Sequence, residues 1–151
     1  MKAFNSIDDI LDFAMQSEQE AVDFYNELAA SAKSEDMKQV FNKFAQEEIG
    51  HKQKLRTVKE EGTYELPKDK VKDLKVSDYT VSVQPKPDMN YQDALVLAMK
   101  KEKAAFRLYM DLSDKTDNQK MKDLFLGLAQ EESKHKLRFE IEYDEFVLRE
   151  N

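Results

Sequence analysis

The chain has 151 residues, a formal net charge of −7, and 36% charged residues. This length suits one domain with a buried core, and the acidic balance argues against the clustered basic surface of a nucleic-acid-binding protein. The chain has no cysteine, which excludes disulfides, thiol catalysis and cysteine-ligated zinc or iron within it. The sequence has no secretory signal and no apolar run long enough to span a bilayer, so we expect a cytoplasmic protein without a membrane partner.

Hydrophobic periodicity predicts an all-α fold with four long helices. Apolar residues recur every three or four positions over residues 7–30, 35–61, 91–113 and 118–149. Ser6 and Asn90 are favourable N-caps for the first and third helices, and Gly62 follows the second as a stop signal. Glycine and proline are scarce, at three residues each, as expected for long solvated helices.

Residues 62–90 carry no sustained periodicity and contain all three prolines. A short loop would place the third helix antiparallel to the second. A connection this long can instead travel back along the bundle, roughly 40 Å for helices of this length, and start the third helix parallel to the second. One long crossover of this kind is the ferritin-like arrangement of a four-helix bundle. The sequence leaves open whether the connection also acts as a lid or an interface.

Six charged or polar residues interrupt the apolar stripes of the four helices. They are Glu18, Glu48, His51, Glu102, Glu132 and His135. Glu48-x-x-His51 and Glu132-x-x-His135 each place a carboxylate and an imidazole on one helix face. Two such pairs, with one glutamate from each of two further helices, form the ligand set of a dinuclear carboxylate site. Charges at core positions are costly unless they are paired or bound to metal, so we predict a dinuclear metal site.

The sequence repeats at a constant offset of 84 residues, so that Glu18 corresponds to Glu102 and Glu48 to Glu132. We therefore predict one domain over residues 1–151, built from two pseudo-symmetric helical hairpins. The first hairpin spans about 6–61, the crossover about 62–90, and the second hairpin about 91–149. The repeat also selects Glu18 over Glu20, whose counterpart is Ala104.

Ligand chemistry and symmetry predict roles for these residues. A site rich in carboxylate, with few imidazoles and no thiolate, suits two iron ions, with manganese as the other possibility. Symmetry suggests that Glu48 and Glu132 bridge the two metals, with one terminal glutamate and one histidine on each.

Two further residue pairs flank the predicted ligands. Tyr25 and Tyr109 share a helix face with Glu18 and Glu102, so we expect each phenol to hydrogen-bond to a ligating carboxylate; the alternative is an ordinary core tyrosine. Glu47 and Glu131 lie off the apolar stripe, and we expect them to face solvent.

The sequence resembles the rubrerythrin branch of the ferritin-like di-iron proteins. The resemblance rests on Glu18-x-x-Ala21-x-x-x-Tyr25, the two Glu-x-x-His pairs and Glu102, and covers all four helices. Rubrerythrins usually carry a rubredoxin domain with four cysteines, whereas this chain has no cysteine. They also usually carry an extra glutamate one turn after the third-helix ligand, which exchanges with a histidine as the irons change oxidation state. Here that position is Ala105.

The resemblance implies a di-iron oxidoreductase. Its reduced site would reduce hydrogen peroxide or dioxygen, as a defence against oxidative stress, with electrons from a separate donor such as a rubredoxin. Two alternatives stay open: a ferroxidase or iron-binding protein in storage or detoxification, and a helical module whose metal is structural. Related proteins are commonly dimers, so we expect a homodimer.

Overall fold

The computed structural model describes residues 3–86 and 88–150, which contain five α-helices and one turn of 3-10 helix at Val76–Asp78. The α-helices are α1 (Ile7–Ala30), α2 (Glu35–Glu61), α3 (Lys68–Lys72), α4 (Tyr91–Lys115) and α5 (Gln119–Glu150). No strand occurs among these residues, and the all-α prediction is confirmed. Pro87, in the predicted crossover, and the first two and the last residue of the predicted domain lie outside the described ranges.

The helices begin and end where the capping chemistry directs. The side chains of Ser6, Ser34 and Asn90 accept hydrogen bonds from the backbone N–H three residues ahead, at 3.2, 3.1 and 2.8 Å respectively. Each bond satisfies one of the N–H groups that a helix start leaves without a partner. At the end of α2, Gly62 adopts the left-handed conformation with φ of 63°, which a residue without Cβ reaches at little cost.

Two antiparallel helical hairpins form the bundle. In the first, Lys52 contacts Gln19 and Lys59 contacts Asp12, so residue numbers rise along α2 as they fall along α1. In the second, α4 and α5 pack closely together across a three-residue connection at 116–118.

The long connection returns along the bundle beside α4. Its first part lies near the C-terminal end of α4, where the Tyr64 hydroxyl donates to the Leu112 carbonyl at 2.6 Å. The Tyr79 hydroxyl donates to Asp111 at 2.6 Å. The chain then reaches Tyr91, the first residue of α4. This path is the predicted crossover, and Val71 and Leu74 of its α3 region bury their side chains in the core.

The bundle has two separate apolar cores with a polar layer between them. One core joins the start of α1, the end of α2, the crossover, the end of α4 and the start of α5. The other joins the opposite halves of the same four helices, including Phe41, Leu95 and Phe139. The six predicted ligands occupy the positions between these two cores. None of the described helices is both long and apolar enough to cross a membrane.

Replacing Gly62 with alanine should lower the free energy of unfolding by about 1 kcal/mol, because the added Cβ penalises the left-handed conformation. The matched control is Gly127→Ala within α5, where an added Cβ meets no atom within 4 Å. That change should raise stability by about 0.5–1 kcal/mol through helix propensity. Urea unfolding of both variants with a chelator present would test this, and a Gly62→Ala variant as stable as the wild type would contradict the left-handed end of α2.

Candidate metal centre

Six ionisable side chains converge at the middle of the bundle. Each is only 1–2% exposed: Glu18 from α1, Glu48 and His51 from α2, Glu102 from α4, and Glu132 and His135 from α5. They are the six residues that the sequence placed in the gaps of the apolar stripes. The structure brings all six together, and their role as metal ligands stays a prediction.

The six side chains form two overlapping groups, each with one histidine. His51 Nδ1 lies 3.0 Å from Oε1 of both Glu48 and Glu132, and 3.4 Å from Glu18 Oε2. The second group centres on His135.

His135 Nδ1 lies 3.5 Å from Glu48 Oε1, 3.6 Å from Glu102 Oε1 and 3.9 Å from Glu132 Oε1. In each group, four potential ligand atoms lie within 4.8 Å of one another. Glu48 and Glu132 belong to both groups, whereas each of the other four residues belongs to one.

One polar atom of every member lacks a hydrogen-bond partner among the described residues. These atoms are Glu18 Oε2, Glu48 Oε1, His51 Nδ1, Glu102 Oε2, Glu132 Oε1 and His135 Nδ1. The atoms are close to one another, but their geometry does not give hydrogen bonds. Buried polar atoms are nearly always satisfied, so six unsatisfied atoms in one place require an explanation such as a bound ion.

Two buried tyrosines each bind a carboxylate from the other hairpin. The Tyr109 hydroxyl of α4 donates to Glu18 Oε1 of α1 at 2.6 Å, and the Tyr25 hydroxyl of α1 donates to Glu102 Oε1 of α4. Burial and the neighbouring carboxylates raise the pKa of both phenols well above the usual value, so both stay protonated donors. The second oxygen of each of these glutamates, Oε2, has no hydrogen-bond partner among the described residues.

Glu47 and Glu131 are partly exposed, as expected, but each also contacts a buried histidine, which was not predicted from the sequence. Glu131 Oε2 lies 2.5 Å from His51 Nε2, and Glu47 Oε2 lies 3.0 Å from His135 Nε2. Their side chains are 44% and 32% exposed, so each carboxylate reaches from the bundle surface to a buried imidazole. An imidazole N–H held by an outer carboxylate fixes the tautomer that leaves the other nitrogen free, and here that nitrogen is Nδ1.

The 84-residue repeat carried a signal for these two glutamates. It preserves Gln46-Glu47-Glu48 as Gln130-Glu131-Glu132, so both copies keep a second acid beside the predicted ligand. Single-helix periodicity could not assign its role, because each acid binds a histidine on another helix.

Burial and mutual repulsion alter the ionisation of the cluster. Burial, followed by the charge of Glu48, raises the pKa of Glu18 to about 8 and that of Glu102 to about 7. Burial with the charges of the other three glutamates raises the pKa of Glu132 well above its usual range. Burial disfavours the charge of Glu48, but contacts with His51 and Glu132 outweigh it and lower the pKa of Glu48.

The pKa values of both histidines are also raised, but for a different reason. Burial alone would lower the pKa of each imidazole, yet the adjacent carboxylates outweigh it and raise His51 to a pKa of about 11 and His135 to a pKa of about 9. The metal-free cluster therefore holds protons on its imidazoles and on some of its carboxylates. Cations that bind there would displace these protons.

Comparison with known proteins agrees with this geometry. A family model of rubrerythrin matches residues 9–143, a range that includes all six residues of the cluster. The chain belongs to the rubrerythrin family. Searches of the curated proteins and of the solved structures returned no match. The family match and the structure together support a helical bundle with a buried cluster of glutamates and histidines that could hold metal.

Replacing Glu18 with glutamine should stabilise the metal-free protein by about 3 kcal/mol at pH 7, because pH 7 lies about 2.5 pH units above the unfolded pKa and below the folded pKa, and each pH unit corresponds to about 1.4 kcal/mol. The pKa of Glu18 rises on folding from 4.5 to about 8, so the folded state binds a proton that the unfolded state releases as the pH rises through this window. Stability falls accordingly, and glutamine does not pass through this titration.

The advantage of Glu18→Gln should therefore shrink as the pH is lowered to about 5, below most of this window. Glu20→Gln, on the exposed side of α1, removes the same charge and should change stability by less than about 0.5 kcal/mol. Urea unfolding with a chelator at both pH values gives the comparison. A Glu18→Gln variant less stable than the wild type at pH 7 would show that burial of the Glu18 carboxylate does not destabilise the folded protein.

Replacing Glu131 with glutamine should weaken metal binding about tenfold or more, because outer carboxylates orient a histidine ligand and raise its basicity. Glu145→Gln on the exposed face of α5 makes the same change of charge and should leave affinity unaltered. Competition titration with Co²⁺ and a chelator measures the affinity, and the visible Co²⁺ spectrum reports the ligand geometry. Equal affinities for the two variants would mean that Glu131 contacts His51 without supporting it.

Proposed function

We propose that this member of the rubrerythrin family is a di-iron carboxylate redox protein that reduces hydrogen peroxide or dioxygen with electrons from a separate donor, such as a rubredoxin. The observation that carries the proposal is the set of six buried polar atoms without partners, one from each predicted ligand. A dry, metal-free arrangement of this kind would be costly, whereas a pair of cations would satisfy all six atoms.

The two overlapping groups support a specific assignment of ligands. Glu48 and Glu132 belong to both groups and would bridge the two ions. Glu18 and His51 would complete the coordination of the first ion, and Glu102 and His135 would complete that of the second. This is the division of roles that symmetry predicted.

The donor set fits iron, with manganese as the other candidate. Four carboxylates carry a formal charge of −4 with neutral histidines, which two divalent cations would neutralise. Carboxylate oxygens with only one imidazole per ion suit iron and manganese better than metals that prefer thiolate. Bound iron would supply electrons to the oxidant and act as a Lewis acid toward it.

The residues around the ligands would keep the site organised during turnover. Tyr25 and Tyr109 hold one oxygen of each terminal carboxylate, which leaves the other oxygen for an ion. Glu131 and Glu47 hold the Nε2 atoms of the histidines, which directs both Nδ1 atoms inward. These contacts all cross between the two hairpins, so docking of the hairpins and ordering of the site are one event.

Assembly as a homodimer and a cytoplasmic location belong to the same proposal. Sedimentation of the iron-loaded protein would test the assembly. A large hollow particle that takes up many irons per chain would favour the alternative of iron storage.

Anaerobic reconstitution with ferrous iron should load two irons per chain. One equivalent of hydrogen peroxide should then produce the near-ultraviolet absorbance of a ferric pair, measured by stopped flow, and a reductant should reverse it. A faster reaction with air-saturated buffer would favour oxidase or ferroxidase activity. The double variant Glu48→Ala/His51→Ala should not bind iron, because both residues are proposed ligands.

Two results would contradict the proposal. Failure to bind iron would mean that the cluster is not a working metal site. Two tightly bound irons that react with neither oxidant would support the alternative of a structural metal.

A further inference from the structure

A cavity of about 190 Å³ lies between α1 and α4 and reaches the proposed metal site. All four glutamates of the cluster line it, and neither histidine does. Apolar side chains form much of its wall: Phe13, Ala14, Ala21, Val81, Ala105 and Leu108. Gln16, Glu20 and Gln84 also line it and are exposed. The cavity therefore connects the carboxylates to the surface.

Two small residues at equivalent positions of the repeat create this space. The contacts Tyr25–Glu102 and Tyr109–Glu18 show that α1 and α4 run antiparallel. Residues midway between these contacts face each other across the helix pair. Ala21 and Ala105 occupy those positions. Because their side chains are small, they leave space between the two tyrosine–glutamate contacts.

The crossover forms the outer wall of the cavity. Tyr79 fixes its path, because the hydroxyl binds Asp111 at 2.6 Å and the ring stacks on Phe4 at 6.4 Å between centroids. From this anchor the chain extends along α4, and Thr80, Val81 and Gln84 line the cavity. An ordered segment thus adds an apolar side chain to the wall beside the proposed site.

Size, wall chemistry and charge together define the ligand. Apolar cavities of about 150 Å³ hold a molecule as large as benzene, so this cavity has room for more than hydrogen peroxide. The alanine and valine wall suits a compact alkyl group, whose burial is favourable. One cation, Lys101, and one anion, Glu20, line the cavity, and the proposed metal ions would offset the four carboxylates on its floor, so its lining favours no charged ligand. A neutral molecule with a polar end toward the carboxylates and an alkyl end toward Ala105 fits these conditions.

We propose that the cavity binds small neutral organic hydroperoxides and that the protein reduces them to alcohols. This inference rests on the proposed redox function of the same site. The O–O bond of the hydroperoxide breaks, two electrons come from the reduced metals and two protons from solvent, and the products are the alcohol and water. The external electron donor then restores the two electrons.

The first test compares two oxidants on the iron-loaded protein: tert-butyl hydroperoxide and hydrogen peroxide. Ala105→Leu fills the cavity from α4. It should lower kcat/KM for tert-butyl hydroperoxide about tenfold or more relative to kcat/KM for hydrogen peroxide, the range expected when a pocket loses room for a few carbon atoms. Ala32→Leu adds the same carbons at a half-buried position roughly 20 Å along the bundle from Glu18, and should leave that ratio unchanged.

The second test measures binding without turnover. tert-Butanol, the unreactive product, is titrated into the metal-free protein while amide NMR shifts are followed at Ala21, Val81 and Ala105. Saturable shifts in the wild type that disappear in Ala105→Leu are expected. Ala21→Val, a smaller change on the opposite wall, serves if Ala105→Leu fails to fold.

The outcomes separate this inference from the proposed function. Reduction of hydrogen peroxide, with neither tert-butanol binding nor a changed substrate ratio in the cavity variants, would overturn the hydroperoxide proposal and leave the di-iron function standing. Saturable tert-butanol binding in a protein that reduces no peroxide would retain the ligand site and overturn the reaction. A substrate ratio that falls equally in Ala32→Leu would show that the effect does not come from the cavity.

Discussion

The structure depends on the burial of six ionisable side chains at the centre of a four-helix bundle. Two apolar cores lie on either side of this layer, and every long helix contributes at least one of its members. Such a layer is unfavourable unless charge and hydrogen-bonding capacity are both satisfied. The two tyrosine hydroxyls donate to one oxygen of Glu18 and of Glu102, and Glu47 and Glu131 contact the Nε2 atom of each histidine. The atoms without partners lie at the centre of the cluster.

The partners of this layer come from the opposite hairpin. Tyr25 of α1 holds Glu102 of α4, and Glu131 of α5 holds His51 of α2. One hairpin alone would leave its carboxylates and imidazoles without these partners. The internal repeat explains how the arrangement is built, because a contact made by one hairpin is made in reverse by its counterpart. Folding and hairpin docking are therefore energetically linked, and metal binding at the cluster would be linked to both.

Much of the fold and of the cluster followed from sequence because the relevant signals were local or repeated. The gaps in four apolar stripes located Glu18 and its five companions, and the 84-residue offset removed the competing Glu20. The outer role of Glu131 was missed because its partner lies on another helix, and helix periodicity describes one helix at a time. Residues 62–90 lack periodicity, so neither the anchoring of Tyr79 nor the cavity behind Val81 could be predicted from them.

The α2 and α5 side of the cluster differs in packing from the α1 and α4 side. On the α2 and α5 side, both histidines are held by outer carboxylates, and the Phe44 ring stacks on His135 at 3.9 Å between centroids. That side is packed and holds the cluster in place. On the α1 and α4 side, Ala21 and Ala105 leave open space against the same carboxylates. All four glutamates of the cluster line this space and neither histidine does. A molecule bound there would therefore meet the carboxylates that would hold the metals and would not contact the imidazoles.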